Sequence, residues 1–238
     1  MRRVWACITL LSLAAVAMSA PAAHADRFER SFRWSGYRWS VRTTTQHANP
    51  GHNLWGDTPF NVRVRADKTL RVNISKGKSV EVVGPPTGYG TYRWVVDSDL
   101  SMVDPFRVVA FFVRGTRAEQ DVEFSRWGDP SLATTGTWVT WRMNKRLAFN
   151  FFPVSVGAPY TIVIDWKVGV TRYSVRDAAG TVLLDTTYAT KPGGQHIAPR
   201  ISYWLYPGQG ANRSPFTARS VHPPIIVKSF SYTKLAGR

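Results

Sequence analysis

Short runs in which apolar and polar residues alternate recur along almost the whole chain. Arg63 and Arg65 alternate with Val62 and Val64, and Arg71 stands between Leu70 and Val72. Glu119, Asp121 and Glu123 alternate with Gln120, Val122 and Phe124. Alternation sends successive side chains to opposite faces of a strand, whereas a helix repeats every 3.6 residues. No segment keeps the helical period. The pattern predicts strands at Ser31–Trp34, Tyr37–Thr43, Asn61–Arg65, Thr69–Ser75, Ser79–Val83, Gly90–Val96, Arg107–Arg114 and Glu119–Ser125. It continues with Gly136–Met143, Ala148–Phe152, Tyr160–Lys167, Thr171–Arg176, Val182–Thr187, Arg200–Leu205 and Ile225–Tyr232. Turn-forming stretches separate them, among them Ala66-Asp67-Lys68, Gly84-Pro85-Pro86, Asp177 to Gly180 and Lys191 to Gly194. Some fifteen short strands without a helix predict an all-β fold, a two-sheet antiparallel β-sandwich of the jelly-roll kind.

The first 25 residues break the pattern. Arg2 and Arg3 precede an apolar run from Ile8 to Met18, and Ala23-His24-Ala25 fits a small-residue cleavage site. Residues 1–25 therefore read as a secretory signal peptide, and 26–238 as a single domain. No later stretch approaches the roughly 20 apolar residues of a membrane-spanning helix. Cys7 is the only cysteine and lies in the leader, so an exported chain would hold together without disulfides. Without Arg2 and Arg3, 29 basic residues face 15 acidic ones, a formal excess of 14 positive charges. That balance suits an acidic polymer partner. The cations are spread over many strand faces with no run of five or six, which argues against a nucleic-acid footprint.

Against this basic background the acids are concentrated. The chain has four glutamates, Glu29, Glu81, Glu119 and Glu123, and Asp121 lies between the last two. Alternation puts Glu119, Asp121 and Glu123 on one face, with Val122 and Phe124 turned to a core. Like charges side by side on a strand repel, and Asp is a poor strand former. The plain reading is the wet side of an amphipathic strand. The functional reading is a carboxyl pair for glycoside hydrolysis, which requires a separation of about 5–5.5 Å for retention or about 6.5–9.5 Å for inversion. Residues four apart on a strand stand about 13 Å apart at Cα, so a concave sheet would have to lean the two side chains together. Aromatic content also bears on sugars. Trp39, Trp94 and Trp166 sit in apolar strand contexts and are expected in the core, while Trp55, Trp127, Trp141, Trp204 and Tyr206 are candidates to line a cleft.

Glu119-Gln120-Asp121-Val122-Glu123-Phe124 resembles the E-[ILV]-D-[IVF]-E signature of glycoside hydrolase family 16. Further pieces resemble that family in order and spacing. They are Gly88-Tyr89-Gly90-Thr91-Tyr92-Arg93, Ala66 to Val72, and Tyr160 to Trp166 followed by Tyr173 to Gly180. The resemblance covers roughly residues 30–235 and implies a jelly roll with a concave substrate cleft. It implies a retaining, endo-acting hydrolase of β-linked polysaccharides such as β-glucans, possible targets including an anionic galactan. Carried over, it makes Glu119 the nucleophile, Glu123 the general acid/base and Asp121 the assisting acid. It places Glu81 where the family binds substrate hydroxyls, the plain reading being a surface strand acid, and Tyr206 where a cleft tryptophan is common; Trp141, Trp127 and Trp204 join them as substrate-binding candidates. The resemblance implies no required cofactor; it allows the family's structural calcium, for which no ligands are placed here. Physical chemistry supports the division of labour, because three carboxyls on one face cannot all ionise cheaply. The chain departs from the family at Gln120, where a buried amide needs partners, at Gly115 to Ala118, which lack an upstream tryptophan, and at Arg93, where glutamate is common.

The alternatives are a non-catalytic carbohydrate-binding jelly roll and an envelope protein that adheres to acidic polymers by charge. In the leading reading the partner is a polysaccharide substrate, with no nucleic acid, no membrane span and a monomeric chain. Asn73 and Asn212 sit in Asn-x-Ser sequences.

Overall fold

A computed structural model describes residues 26–206 and 223–235. Residues 1–25, expected to be a signal segment, and Asn212 lie outside the described residues. With strands numbered in chain order, one eight-stranded sheet runs β1 (Ser31–Trp34), β2 (Tyr37–Val41), β5 (Val80–Val83), β14 (Ala198–Leu205), β7 (Arg107–Arg114), β8 (Ala118–Ser125), β9 (Thr135–Arg142) and β10 (Lys145–Pro153). The second, seven-stranded sheet runs β13 (Val182–Ala189), β12 (Val170–Arg176), β11 (Tyr160–Lys167), β6 (Gly90–Val96), β15 (Ile225–Lys234), β4 (Leu70–Val72) and β3 (Val62–Val64). Each strand matches one expected from the sequence, and the ends differ by a few residues. One short 3₁₀ turn, Leu100–Met102, was not anticipated; Asp99 caps it by accepting from the Ser101 amide at 3.0 Å.

The core lies between the sheets. Trp39, Trp94 and Trp166 are fully buried there with Tyr92, Tyr160, Tyr173, Phe111 and Phe124. Side chains of this size each gain roughly 1.5–3 kcal/mol on burial, so a cysteine-free domain has enough apolar surface to hold. β7 is buried on both faces because it lies mid-sheet. Val109, Phe111 and Val113 join the main core, while Ala110 and Phe112 face the other way.

Two local features set the geometry of the far sheet edge. Met143 and Asn144 join β9 to β10 with φ of 47° and 63°, the paired positive values of a tight hairpin turn. Pairing then shifts by one residue, since Arg146 faces Trp141 but Ala148 faces Thr140, leaving Leu147 as a bulge. Further along, Gly136 lies opposite Phe152, and a Cβ there would come within 2.1 Å of the Phe152 ring. Gly136→Ala is accordingly expected to destabilise the fold by about 1–3 kcal/mol through overpacking. Denaturant midpoints of parent and variant check this, and equal midpoints would show that the ring moves aside freely.

Candidate active site

The open face of the eight-stranded sheet is a cleft of about 850 Å³. Strand pairing arranges its floor in rows. One row holds Arg114, Glu119, Trp141 and Arg146; the next Arg200, Phe112, Asp121, Val139 and Phe149; the third Glu81, Ser202, Ala110, Glu123, Thr137 and Phe151. Glu123 therefore lies between Ala110 and Thr137, with Ser202 beyond. Small side chains there leave space above it. The other face of β8 carries Gln120, Val122 and Phe124, all fully buried. The even-odd split expected from sequence is present.

The three carboxyls differ in environment. Glu119 is half-buried and pairs with Arg114 Nε at 3.2 Å. Burial raises its carboxyl pKa above the usual range, and the Arg114 guanidinium opposes that rise. Asp121 is almost fully buried, and its Oδ2 accepts a 2.6 Å bond from Trp141 Nε1. Burial, with Glu119 and Glu123 on either side, pushes Asp121 well above the carboxylate range. Its Oδ1 has no partner among the described residues. Since an indole N–H only donates, it occupies Oδ2 as an acceptor, and a proton held by Asp121 belongs on Oδ1. Glu123 is pushed up to about 8 by burial and by Glu119, with Arg146 pulling the other way. The arrangement thus separates a carboxyl with a cation beside it from two whose burial and like-charged neighbours favour the protonated form.

Glu81 is not a surface acid. It is buried, with Oε2 bound by Arg42 Nη1 at 2.8 Å and Oε1 by Arg200 Nη1. These guanidiniums outweigh the burial that would raise its pKa and hold it below the usual range. Arg42 also binds Asp26 Oδ1 at 2.8 Å and stacks 4.5 Å from the Trp55 ring. Trp55, a cleft candidate from sequence, is fully buried beneath this guanidinium and donates to the Ala48 carbonyl at 3.3 Å.

The remaining aromatic candidates reach the cleft. Trp127 and Tyr206 meet edge to face at 5.7 Å, and the largely buried Trp204 supports Tyr206 at 6.2 Å. Trp127 has φ 52°, a left-handed conformation that costs a bulky residue on the order of 1–3 kcal/mol. Ser125 Oγ holds it there by accepting the Trp127 amide at 2.9 Å. Gln120 finds a partner across the sandwich, where the Tyr173 hydroxyl of β12 donates to its Oε1. Its Nε2 has none among the described residues. Arg93 lies exposed on the seven-stranded sheet and does not line the cleft. Sequence reasoning missed Arg114, Arg146, Phe149 and Phe151, all of which line it. Aromatic residues at 149 and 151 in a strand with charged neighbours were the available signal.

No family model and no curated protein matches the chain. Solved structures do match. A prokaryotic β-1,3-1,4-glucanase (lichenase) from a mouse hindgut metagenome superposes with TM-score 0.62 at 14% identity, covering 88% of this chain and 98% of that one. A non-specific endo-β-1,3(4)-glucanase of family GH16 gives 0.59 at 13% identity, covering 90% and 93%. An immunostimulatory antigen and pseudo β-1,3-glucanase of Mycobacterium tuberculosis gives 0.56 at 16% identity, covering 82% and 89%. At these identities the likeness concerns architecture, and the chain has the jelly-roll fold of the glycoside hydrolase family 16 glucanases.

Proposed function

We propose that this chain is a retaining, endo-acting glycosidase of a β-linked polysaccharide. One observation carries the reading: Glu119, Asp121 and Glu123 occupy one face of β8 on the floor of an open, aromatic-walled cleft. An open cleft admits the middle of a long chain, which endo action requires. In the proposed cycle Glu119, ionised beside Arg114, attacks the anomeric carbon while Glu123 delivers its proton to the leaving oxygen. The resulting glycosyl ester on Glu119 is then cleaved by water, whose proton returns to Glu123. Asp121, protonated on Oδ1, donates a hydrogen bond towards the nucleophile's side of the site. Trp127, Trp141 and Tyr206 stack sugar rings, with Trp204 supporting Tyr206, and Glu81 fixes Arg42 and Arg200 at one side of the floor. The reading includes export after cleavage near Ala25 and action as a monomer.

The same fold carries a protein described as a pseudo β-1,3-glucanase, so a binding-only jelly roll is the competing reading. Digestion of a glycan panel, with the first-formed anomer read by proton NMR, separates the two. The expected result is reducing ends released first as the β-anomer. Rates should fall above a pH of about 8 as Glu123 loses the proton it must donate. Tight binding with no reducing ends from any glycan would establish the binding-only protein instead.

A further inference from the structure

Edge strands of soluble proteins are usually protected by charge, bulges or cover. β10 has a bulge, yet it shows two phenylalanines to the cleft. Phe149 and Phe151 are 42% and 54% exposed and meet edge to face at 5.7 Å. The Arg146 guanidinium lies 4.2 Å from the centre of the Phe149 ring. Stacking of this kind leaves the in-plane N–H donors of arginine free for a second partner.

The cleft's arginines divide into two groups. Arg42 is neutralised by Glu81 and Asp26, and Arg114 by Glu119. Arg117 and Arg146 form no ion pair with any acid among the described residues, and both line the cleft. They belong to the same end of it. Arg117 sits in the β7–β8 turn, where the Gly193 carbonyl accepts its amide at 2.9 Å and its own carbonyl accepts the Met143 amide at 3.0 Å. That last bond ties the β7–β8 turn to the β9–β10 turn, so the two cations flank Trp141 from neighbouring hairpins.

We propose that this wall is a subsite for an acidic sugar. The ring packs on Phe149 and Phe151, and Arg146 and Arg117 take its carboxylate or sulfate ester. The inference rests on the glycosidase reading and narrows its substrate to an anionic β-linked polysaccharide. A guanidinium matches the planar pair of oxygens of a carboxylate and equally the oxygens of a sulfate ester. The wall is two strand spacings, roughly 10 Å, from the carboxylate strand, so it binds a sugar beside the one being cleaved.

Binding to the Glu119→Gln protein tests this without turnover. The probes are oligosaccharides of a polyuronate, of a sulfated galactan and of uncharged mixed-linkage β-glucan, compared by calorimetry at low and high salt. One or both charged chains should bind more tightly than the uncharged one, in a salt-sensitive way, and the stronger of the two identifies the anion. Adding Arg146→Gln should weaken the charged chain about tenfold or more relative to the uncharged one, and Arg117→Gln should act in the same direction. Both residues are exposed, so neither variant removes core packing. Equal binding of charged and uncharged chains, or an Arg146→Gln protein with undiminished preference, overturns the subsite. The two readings fail separately. Cleavage confined to uncharged glucan leaves the glycosidase and removes the subsite, whereas Arg146-dependent anion binding without cleavage of any glycan does the reverse.

Discussion

Glu119→Gln is expected to reduce glycan hydrolysis by about 10⁴-fold or more while leaving the fold intact. The amide is nearly isosteric with the carboxyl but cannot form the glycosyl ester, so the first bond-making step is lost. The fold has little stake in the group. Its ion pair with Arg114 involves side chains 23% and 45% exposed, and pairs of that kind contribute about 0–1 kcal/mol. Removing the charge also relieves repulsion felt by Asp121 and Glu123, for both of which Glu119 is a cause of the raised pKa. Reducing-end release and the thermal midpoint, measured on the same preparation, give the answer. A variant that kept the parental rate would remove Glu119 from the nucleophile's role.

Glu81→Ala should act the opposite way, on stability first. It leaves two guanidiniums, with side chains 9% and 20% exposed, without their shared carboxylate. Breaking a buried pair by removing one member costs about 3–5 kcal/mol, because the surviving charge is left without compensation. Arg42 retains Asp26, which is 40% exposed, whereas Arg200 has Glu81 as its sole ion-pair partner among the described residues. The folded carboxyl binds its proton more weakly than an ordinary glutamate does, whose pKa is 4.5. Its contribution is therefore complete above that pH and is lost as the pH falls below it. Urea midpoints at neutral pH should show the full loss in Glu81→Ala, and the gap between parent and variant should close in acid. A gap that stayed constant with pH would mean that the carboxylate's charge is not what stabilises the site.

The strands were legible because each carries its own evidence. Alternation over four to eight residues marks a half-buried strand wherever it occurs, and each of the fifteen strands among the described residues overlaps an expected segment. The acid face of β8 was legible for the same reason. What escaped were contacts between distant segments. The two cations that make Glu81 a buried anchor lie 39 and 119 residues from it, and the hydroxyl that satisfies Gln120 lies 53 residues away. Trp55 stands in a loop-rich stretch and reads as a cleft residue, yet Arg42 covers it from another segment. Phe149 and Phe151 were read as a strand without a cleft, because their face depends on pairing with β9.

That pairing gives the bulge at Leu147 unusual leverage. With Leu147 in place, Arg146 and Phe149 are three residues apart and still share a face, which an unbroken strand forbids. Were Leu147 instead taken into the ladder opposite Thr140, strict alternation would run from Arg146 to the end of β10. Either Arg146 or the pair of phenylalanines would then be turned inward. The chemistry of the whole wall is therefore written as a phase, and the bulge at Leu147 is what keeps the cation and the two rings in step.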